Sequence, residues 1–241
     1  MKYLTIDTTT KVTAVALAED DKLVGEGFLH TTKTHSERII PMLDQLLSAA
    51  AWTLQELDMI GVVRGPGSFT GIRIGIATAQ GLAQVLNIPL IAVESLDALA
   101  WAGKGRSEEI VPILDARKNE WYTARYHWIP GIDIPECLTL PQAMPTGQWL
   151  EYLWGLDRPI CFVGDAVSKA KSRIEAVLGE RAVILPEYAG LPRGAFAVQA
   201  VWQRWQELGE GEQVEPYYLR YSEAEVNWAK KEKARRSQGH E

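Results

Sequence analysis

The sequence is poor in the residues that build metal and thiol centres. It holds two cysteines, Cys137 and Cys161, and four histidines, His30, His35, His127 and His240. The cysteines lack metal-ligand spacing and read as reduced, structural thiols. No two histidines stand in HxxxH or HxxH spacing, so no local metal pair exists. His35, just ahead of a helical stretch, reads as a residue that caps or staples it. GxxxxGK[ST], GxGxxG and GxSxG are all missing, which removes the sequence signatures of P-loop NTPases, dinucleotide-binding folds and α/β-hydrolases. No apolar run reaches the ~18 residues of a membrane span. The opening MKYLTIDTTT enters a strand pattern without a signal-peptide apolar region, so a cytoplasmic protein without membrane contact is expected. Positive charge is also scarce: 25 Lys and Arg against 31 Asp and Glu leave a net charge of −6. That argues against strong, unaided binding of nucleic acid.

What is present is a globular composition, 241 residues with 46% hydrophobic content, enough for one large domain or two small ones. The chain is organised around residues 61–82, GVVRGPGSFTGIRIGIATAQGL. Val62 and Val63 end a buried strand. Arg64-Gly65-Pro66-Gly67 make a tight turn, and Ser68 or Thr70 caps the helix that follows. Within that helix Gly71, Gly75 and Ala79 recur every fourth residue and form one bare stripe. Mid-helix glycine costs about 1 kcal/mol against alanine, so two on one face imply close packing there. Three readings stand: a phosphate cradle on free backbone N–H groups, ordinary strand-to-helix turn chemistry, or a seat for another helix. Ser68 has no base near it in sequence, which disfavours a nucleophile.

In chain order, strands are expected at 2–7, 12–18 and 23–29, and then a helix capped by Ser36 carries Ile39, Leu43, Leu46 and Leu47 at helical spacing. A strand at 58–64, the helix 69–86, a strand at 90–93 and a short helix capped by Ser95 follow. The polar stretch 103–109 reads as a domain joint. The opening pattern then recurs: an apolar strand at 110–114 ending in Asp115, a polar turn at 116–119, and an alternating strand at 120–128. This predicts two copies of one supersecondary unit. Further on, helices are expected near 146–154, 166–178 and 194–208, with strands at 160–163 and 182–185. Strands alternating with helices argue for an α/β architecture. Asp7 and Asp115 each end a strand before a turn. In α/β proteins ligand groups sit there, but such aspartates also cap turns, and both readings stand. After residue 221 the sequence turns basic, with Lys230, Lys231, Lys233, Arg235 and Arg236. It reads as a solvated terminus or as an arm touching RNA or an acidic partner.

GPGSFTGIRIGIATAQGLA, the upstream HSERIIPMLDQLL, the opening LTIDTTTKVTAVAL, ILDARKNEWY at 113–122 and PYYLR at 216–220 resemble the TsaB (YeaZ) family. The likeness covers the first hundred residues closely and the rest in patches. It implies an actin/Hsp70/sugar-kinase-like fold of two βββαβα domains, 1–103 and 104–220, with a basic tail at 221–241. It also implies a subunit in making N6-threonylcarbamoyladenosine beside the anticodon of tRNA. TsaD, a paralogue with the active site, would be its partner, with the ATPase TsaE joining them and tRNA met only through the complex. TsaD-like paralogues carry a metal-binding HxxxH after the strand matching 90–93, and here Ser95 and Leu99 stand in its place. Their glycine-rich phosphate turn corresponds to 115–119, which here has no glycine. The resemblance therefore implies a non-catalytic scaffold with no metal or cofactor of its own. ATP or ADP at the partner interface stays open, and Asp7, Gly65, Gly67, Ser68 and Asp115 are the nucleotide-proximal candidates. The docking surface is expected on Ile39, Leu43, Leu46, Leu47, Gly71, Gly75 and Ala79, so that Gly75→Leu would weaken the heterodimer. The competing readings are an independent ATPase or metalloprotease-like enzyme, and a self-associating homodimer.

Overall fold

Strands β1 (Lys2–Asp7), β2 (Val12–Glu19) and β3 (Lys22–His30) form an antiparallel meander. β1 and β2 are buried along nearly their whole length, as their unbroken apolar and β-branched runs require. The chain then crosses through α1 (Ile39–Ala50) to β4 (Met59–Val63), parallel to β1, and through α2 (Phe69–Leu86) to β5 (Leu90–Val93), parallel to β4. The strand order is β3-β2-β1-β4-β5. Helix α3 (Ser95–Ala100) closes this half. The computed structural model describes residues 1–31, 34–129, 131 and 134–220. The basic tail expected at 221–241 lies outside them.

The plan then repeats. β6 (Glu109–Asp115), β7 (Glu120–Trp128), β8 (Pro135–Pro145), α4 (Thr146–Trp154), β9 (Ile160–Val163), α5 (Val167–Leu178) and β10 (Ala182–Ile184) give the order β10-β9-β6-β7-β8. This is the first order with each strand replaced by its counterpart. Two domains of one βββαβα plan are therefore present. After the short α6 (Glu187–Gly190), the long α7 (Gly194–Leu208) leaves the second sheet and packs across β1, β2, β4 and β5 of the first. α3 packs the other way, onto β6, β7 and β8. The result is three apolar layers: α1 and α2 outside the first sheet, α4 and α5 outside the second, and α3 with α7 between the sheets. The inner approach is close enough that a methyl on Gly61 of β4 would lie 2.7 Å from a Val201 methyl of α7.

From Gly209 the chain runs back as a strap, 209–220. The Glu212 amide donates to the Leu90 carbonyl at 3.0 Å, and Gln80 Nε2 donates to the Val214 carbonyl at 3.0 Å. The Tyr217 amide donates to the Arg64 carbonyl at 2.8 Å. Arg220 then reaches the second domain, pairing with Glu120 at 2.7 Å and donating to the Ala116 carbonyl at 2.8 Å.

Three local expectations need correction. Ser36 does not cap α1; it sits in a separate 3-10 turn, His35–Glu37, and Arg38 occupies the cap position. Ser95 is the first residue of α3, whose cap position is Glu94. β8 was not anticipated, because Pro135, Pro141 and Pro145 interrupt its pattern. It is an edge strand paired only with β7, where a missing N–H is tolerated. No helix among the described residues is long and apolar enough to cross a membrane.

Candidate functional site

The glycines of GPGSFTG answer to the β1–β2 turn of their own domain. A methyl on Gly67 would overlap the Thr9 carbonyl, one on Gly71 the Thr8 carbonyl, and one on Gly75 the Thr8 hydroxyl. Thr8 Oγ1 donates to the Gly71 carbonyl at 2.7 Å, and the Ser68 amide donates to the Thr9 carbonyl at 2.6 Å. Ser68 caps α2, accepting from the Gly71 amide at 3.3 Å. Gly65 has φ +114°, a conformation rare outside glycine, and a methyl there would lie 2.6 Å from the Tyr217 carbonyl of the strap. The stripe Gly71-Gly75-Ala79 is thus buried inside the chain, with Thr8 seated on Gly71 and Gly75. Gly75→Leu would therefore disrupt the chain's own fold before it tested any interface.

Helix α1 is arranged in the same way. Ile39, Leu43 and Leu47 are buried in the outer core of the first sheet, and Leu46 is half-buried at its rim. The outward surface is made by their neighbours. Ile40 is 52% exposed and Val85 is 84% exposed. On α2, Ala77, Gly81 and Val85 form a second, outward stripe at helical spacing, with half-buried Ile74 at its inner edge against the core, and a side chain added at Gly81 would meet nothing within 4 Å.

Asp7 is buried, and burial pushes its carboxyl up against the opposing pull of the Thr9 amide and hydroxyl, which donate to it at 2.9 and 2.7 Å. Asp115 is exposed. Burial cost is outweighed there by the Arg117 amide at 2.8 Å and the Lys169 ammonium at 3.2 Å, so its carboxyl is held below its ordinary range. Its own amide donates to Asp165 at 3.1 Å, and burial raises Asp165. Asp165, which sequence reasoning passed over, accepts the Asp115 amide, and its charge adds to the upward push on Asp7. Gly65, Gly67 and Ser68 pack on Thr9 and Tyr217 rather than opening onto a ligand. Beside Asp165 a cavity of 380 Å³ opens between α5 and α6, lined by Val167, Lys171, Leu185, Glu187 and Leu191. Among the described residues no cluster of three or more His, Cys, Asp or Glu side chains could hold a metal ion.

A second polar centre lies where the domains meet. Arg64, at the end of β4, grips Glu94 through Nε at 3.0 Å and through Nη2. Asp97 of α3 hydrogen-bonds Glu94 and accepts from the Tyr126 hydroxyl of β7 at 2.5 Å. Two carboxyls this close favour holding one proton between them, and it rests on Asp97. Burial first, and the Glu94 charge after it, push Asp97 up to about 7, while the Asp97 and Arg64 hydrogen bonds hold Glu94 down against its burial. Ser95 and Leu99 are buried beside this centre, and the Ser95 hydroxyl has no hydrogen-bond partner among the described residues. Nothing in the spacing of Arg64, Glu94, Asp97 and Tyr126 announces this cluster, because it joins elements far apart in sequence.

The family model for TsaD, tRNA N6-adenosine threonylcarbamoyltransferase, matches residues 29–228. The tRNA threonylcarbamoyladenosine biosynthesis protein TsaB of Bacillus subtilis is 36% identical over 97% of this chain and 100% of that protein. YeaZ from Pseudomonas aeruginosa superposes with a TM-score of 0.73 at 26% identity, over 90% of this chain and 99% of that one. The component A of (R)-2-hydroxyglutaryl-CoA dehydratase from Acidaminococcus fermentans, at 11% identity and a TM-score of 0.50 over 87% of this chain and 100% of that one, shares the fold alone. The architecture is the actin/Hsp70/sugar-kinase-like α/β fold, and the chain belongs to the TsaB (YeaZ) family.

Proposed function

We propose that this chain serves N6-threonylcarbamoyladenosine formation in tRNA as the non-catalytic partner of a TsaD-type enzyme, docking through the outward face of α1 and α2. The observation that carries this is the second stripe of α2. The inward face of that helix is already filled by Thr8 and the core, yet Ala77, Gly81 and Val85 present small and apolar groups outward. An apolar helix face with room at a glycine fits another pair of helices. The family names support the pathway. In this reading TsaE joins the pair, tRNA is engaged by the assembly, and the work is done in the cytoplasm. The chain needs no cofactor of its own, and ATP or ADP belongs where the two proteins meet. The turns that would cradle phosphate support this: the Ser68 amide is taken by Thr9, and the 116–119 turn has no glycine.

The test is co-elution with the TsaD-type enzyme followed by reconstitution of tRNA modification. Val85→Asp and Gly81→Leu leave the chain folded, with a thermal midpoint no lower than the unaltered chain's for Gly81→Leu, weaken co-elution at least tenfold, and lower modification in step. Full co-elution of both variants overturns the docking face. Modification that proceeds equally without the chain overturns the subunit role and favours an independent enzyme. A chain that stays a dimer when the partner is added favours self-association.

A further inference from the structure

Five cations converge on one turn. Between β6 and β7, Arg117, Lys118 and Asn119 all take left-handed backbone angles, with φ of 61°, 50° and 60°. Such angles are uncommon in residues other than glycine, and three in succession hold Arg117 and Lys118 out from the sheet edge. Onto the same turn come two residues of α5 and one of the strap. Lys169 pairs with Asp115 at 3.2 Å, Arg173 donates to Asn119 at 3.1 Å, and Arg220 pairs with Glu120 at 2.7 Å. Asp115 and Glu120 are the acids in these pairs, so the convergence keeps an excess of positive charge. Arg117, Lys118, Lys169 and Arg173 are exposed. The guanidinium of Arg117 has no hydrogen bond or ion pair among the described residues. All this stands on a protein whose net charge is −6.

We propose that the 116–119 turn, with Lys169 and Arg220, is a contact surface for the phosphate backbone of RNA. This rests on the tRNA role proposed above and adds a place for the nucleic acid on this chain. Point charges on long side chains suit a phosphate ladder met from outside, with no need for backbone to approach closely. The overall negative charge makes the contact weak alone and salt-sensitive.

The experiment titrates labelled, unmodified tRNA with the purified chain by fluorescence anisotropy at several salt concentrations. The same titration is run with a double variant, Arg117→Gly and Lys169→Gln. Glycine accepts the left-handed angle, so the turn keeps its shape, and an unchanged thermal midpoint verifies the fold. The result expected is a loss of at least fivefold in affinity at about 50 mM salt, with the log–log salt slope reduced by about 2, one for each phosphate contact removed. Unchanged affinity and slope in a folded double variant overturn the proposal, as does a wild-type chain that binds no tRNA at that salt. Displacement of tRNA by ATP at matched ionic strength also overturns it, in favour of a free nucleotide. Co-elution of the double variant with the TsaD-type enzyme separates the two readings. Retained pairing with weakened tRNA binding supports the surface, whereas a wild-type chain that fails to pair removes the scaffold and leaves the titration to decide the surface.

Discussion

Thr8 explains more of α2 than any residue within α2 does. Its carbonyl and hydroxyl fill the space a side chain would occupy at Gly71 and Gly75. Gly71→Ala is therefore expected to destabilise the chain by about 2–3 kcal/mol, since backbone must move to admit the methyl. Gly81→Ala, facing open space on the same helix, is expected to stabilise it by about 0.5–1 kcal/mol through helix propensity alone. Urea midpoints of the two variants check the contrast, and equal effects would show that the stripe is not the seat described. Asp97 makes a second prediction at this scale. Between about pH 4 and pH 7 the folded chain keeps a proton on the Asp97–Glu94 pair that the unfolded chain has released. The contribution of Asp97 is present on the acid side and lost as pH rises through 7, on the order of 4 kcal/mol in all. Asp97→Asn, which holds the shared hydrogen bond at every pH, should flatten the fall in stability between pH 5 and pH 8. Identical pH profiles would remove the shared proton. The periodicity of glycine every fourth residue was legible in sequence. Which side of the helix it served was not, because a close seat for a loop and one for a helix ask for the same small residues.

Among the elements, the strap has the least regular structure and some of the furthest-reaching bonds. Tyr218 stacks on Phe69 at 4.8 Å and accepts from Arg73 Nε at 2.8 Å, while Tyr217 bonds the Arg64 carbonyl and closes over Gly65. Truncation after Gly209 uncovers this side of the first domain, and the thermal midpoint should fall by about 5–10 °C. A midpoint within a degree of the full chain would show that the strap only decorates the surface. The regular elements were readable because their periods are strong: 69–86, 120–128 and 194–208 stand as the hydrophobic spacing gave them. β8 was not, since its prolines mask a strand that only an edge position permits. The Arg64–Glu94–Asp97–Tyr126 centre was equally hidden, being assembled by the packing of α3 on β7.

For the whole molecule, the repeat of strand, aspartate, turn and strand announced a duplicated plan, and two sheets of matching order carry it. What the repeat did not announce is the exchange of helices, α3 to the second sheet and α7 to the first. The inner core holds Tyr3 and Met59 together with Ile110 and Tyr126, so neither sheet keeps a complete core without the other half. Calorimetry should accordingly give one transition whose van't Hoff and calorimetric enthalpies agree. Two resolved transitions would mean that the halves unfold apart.

The crossing of α7 also sets an order of events at birth. As the chain leaves the ribosome, the inner face of the first sheet has its strands from residue 93 onward, yet its cover is not made until residues 194–208 emerge. For the synthesis of about a hundred residues, at roughly 5–20 residues per second, that face is an exposed apolar surface. That surface stays uncovered through the middle of translation, and a stop codon anywhere before 194 leaves the first sheet without the helix that covers it.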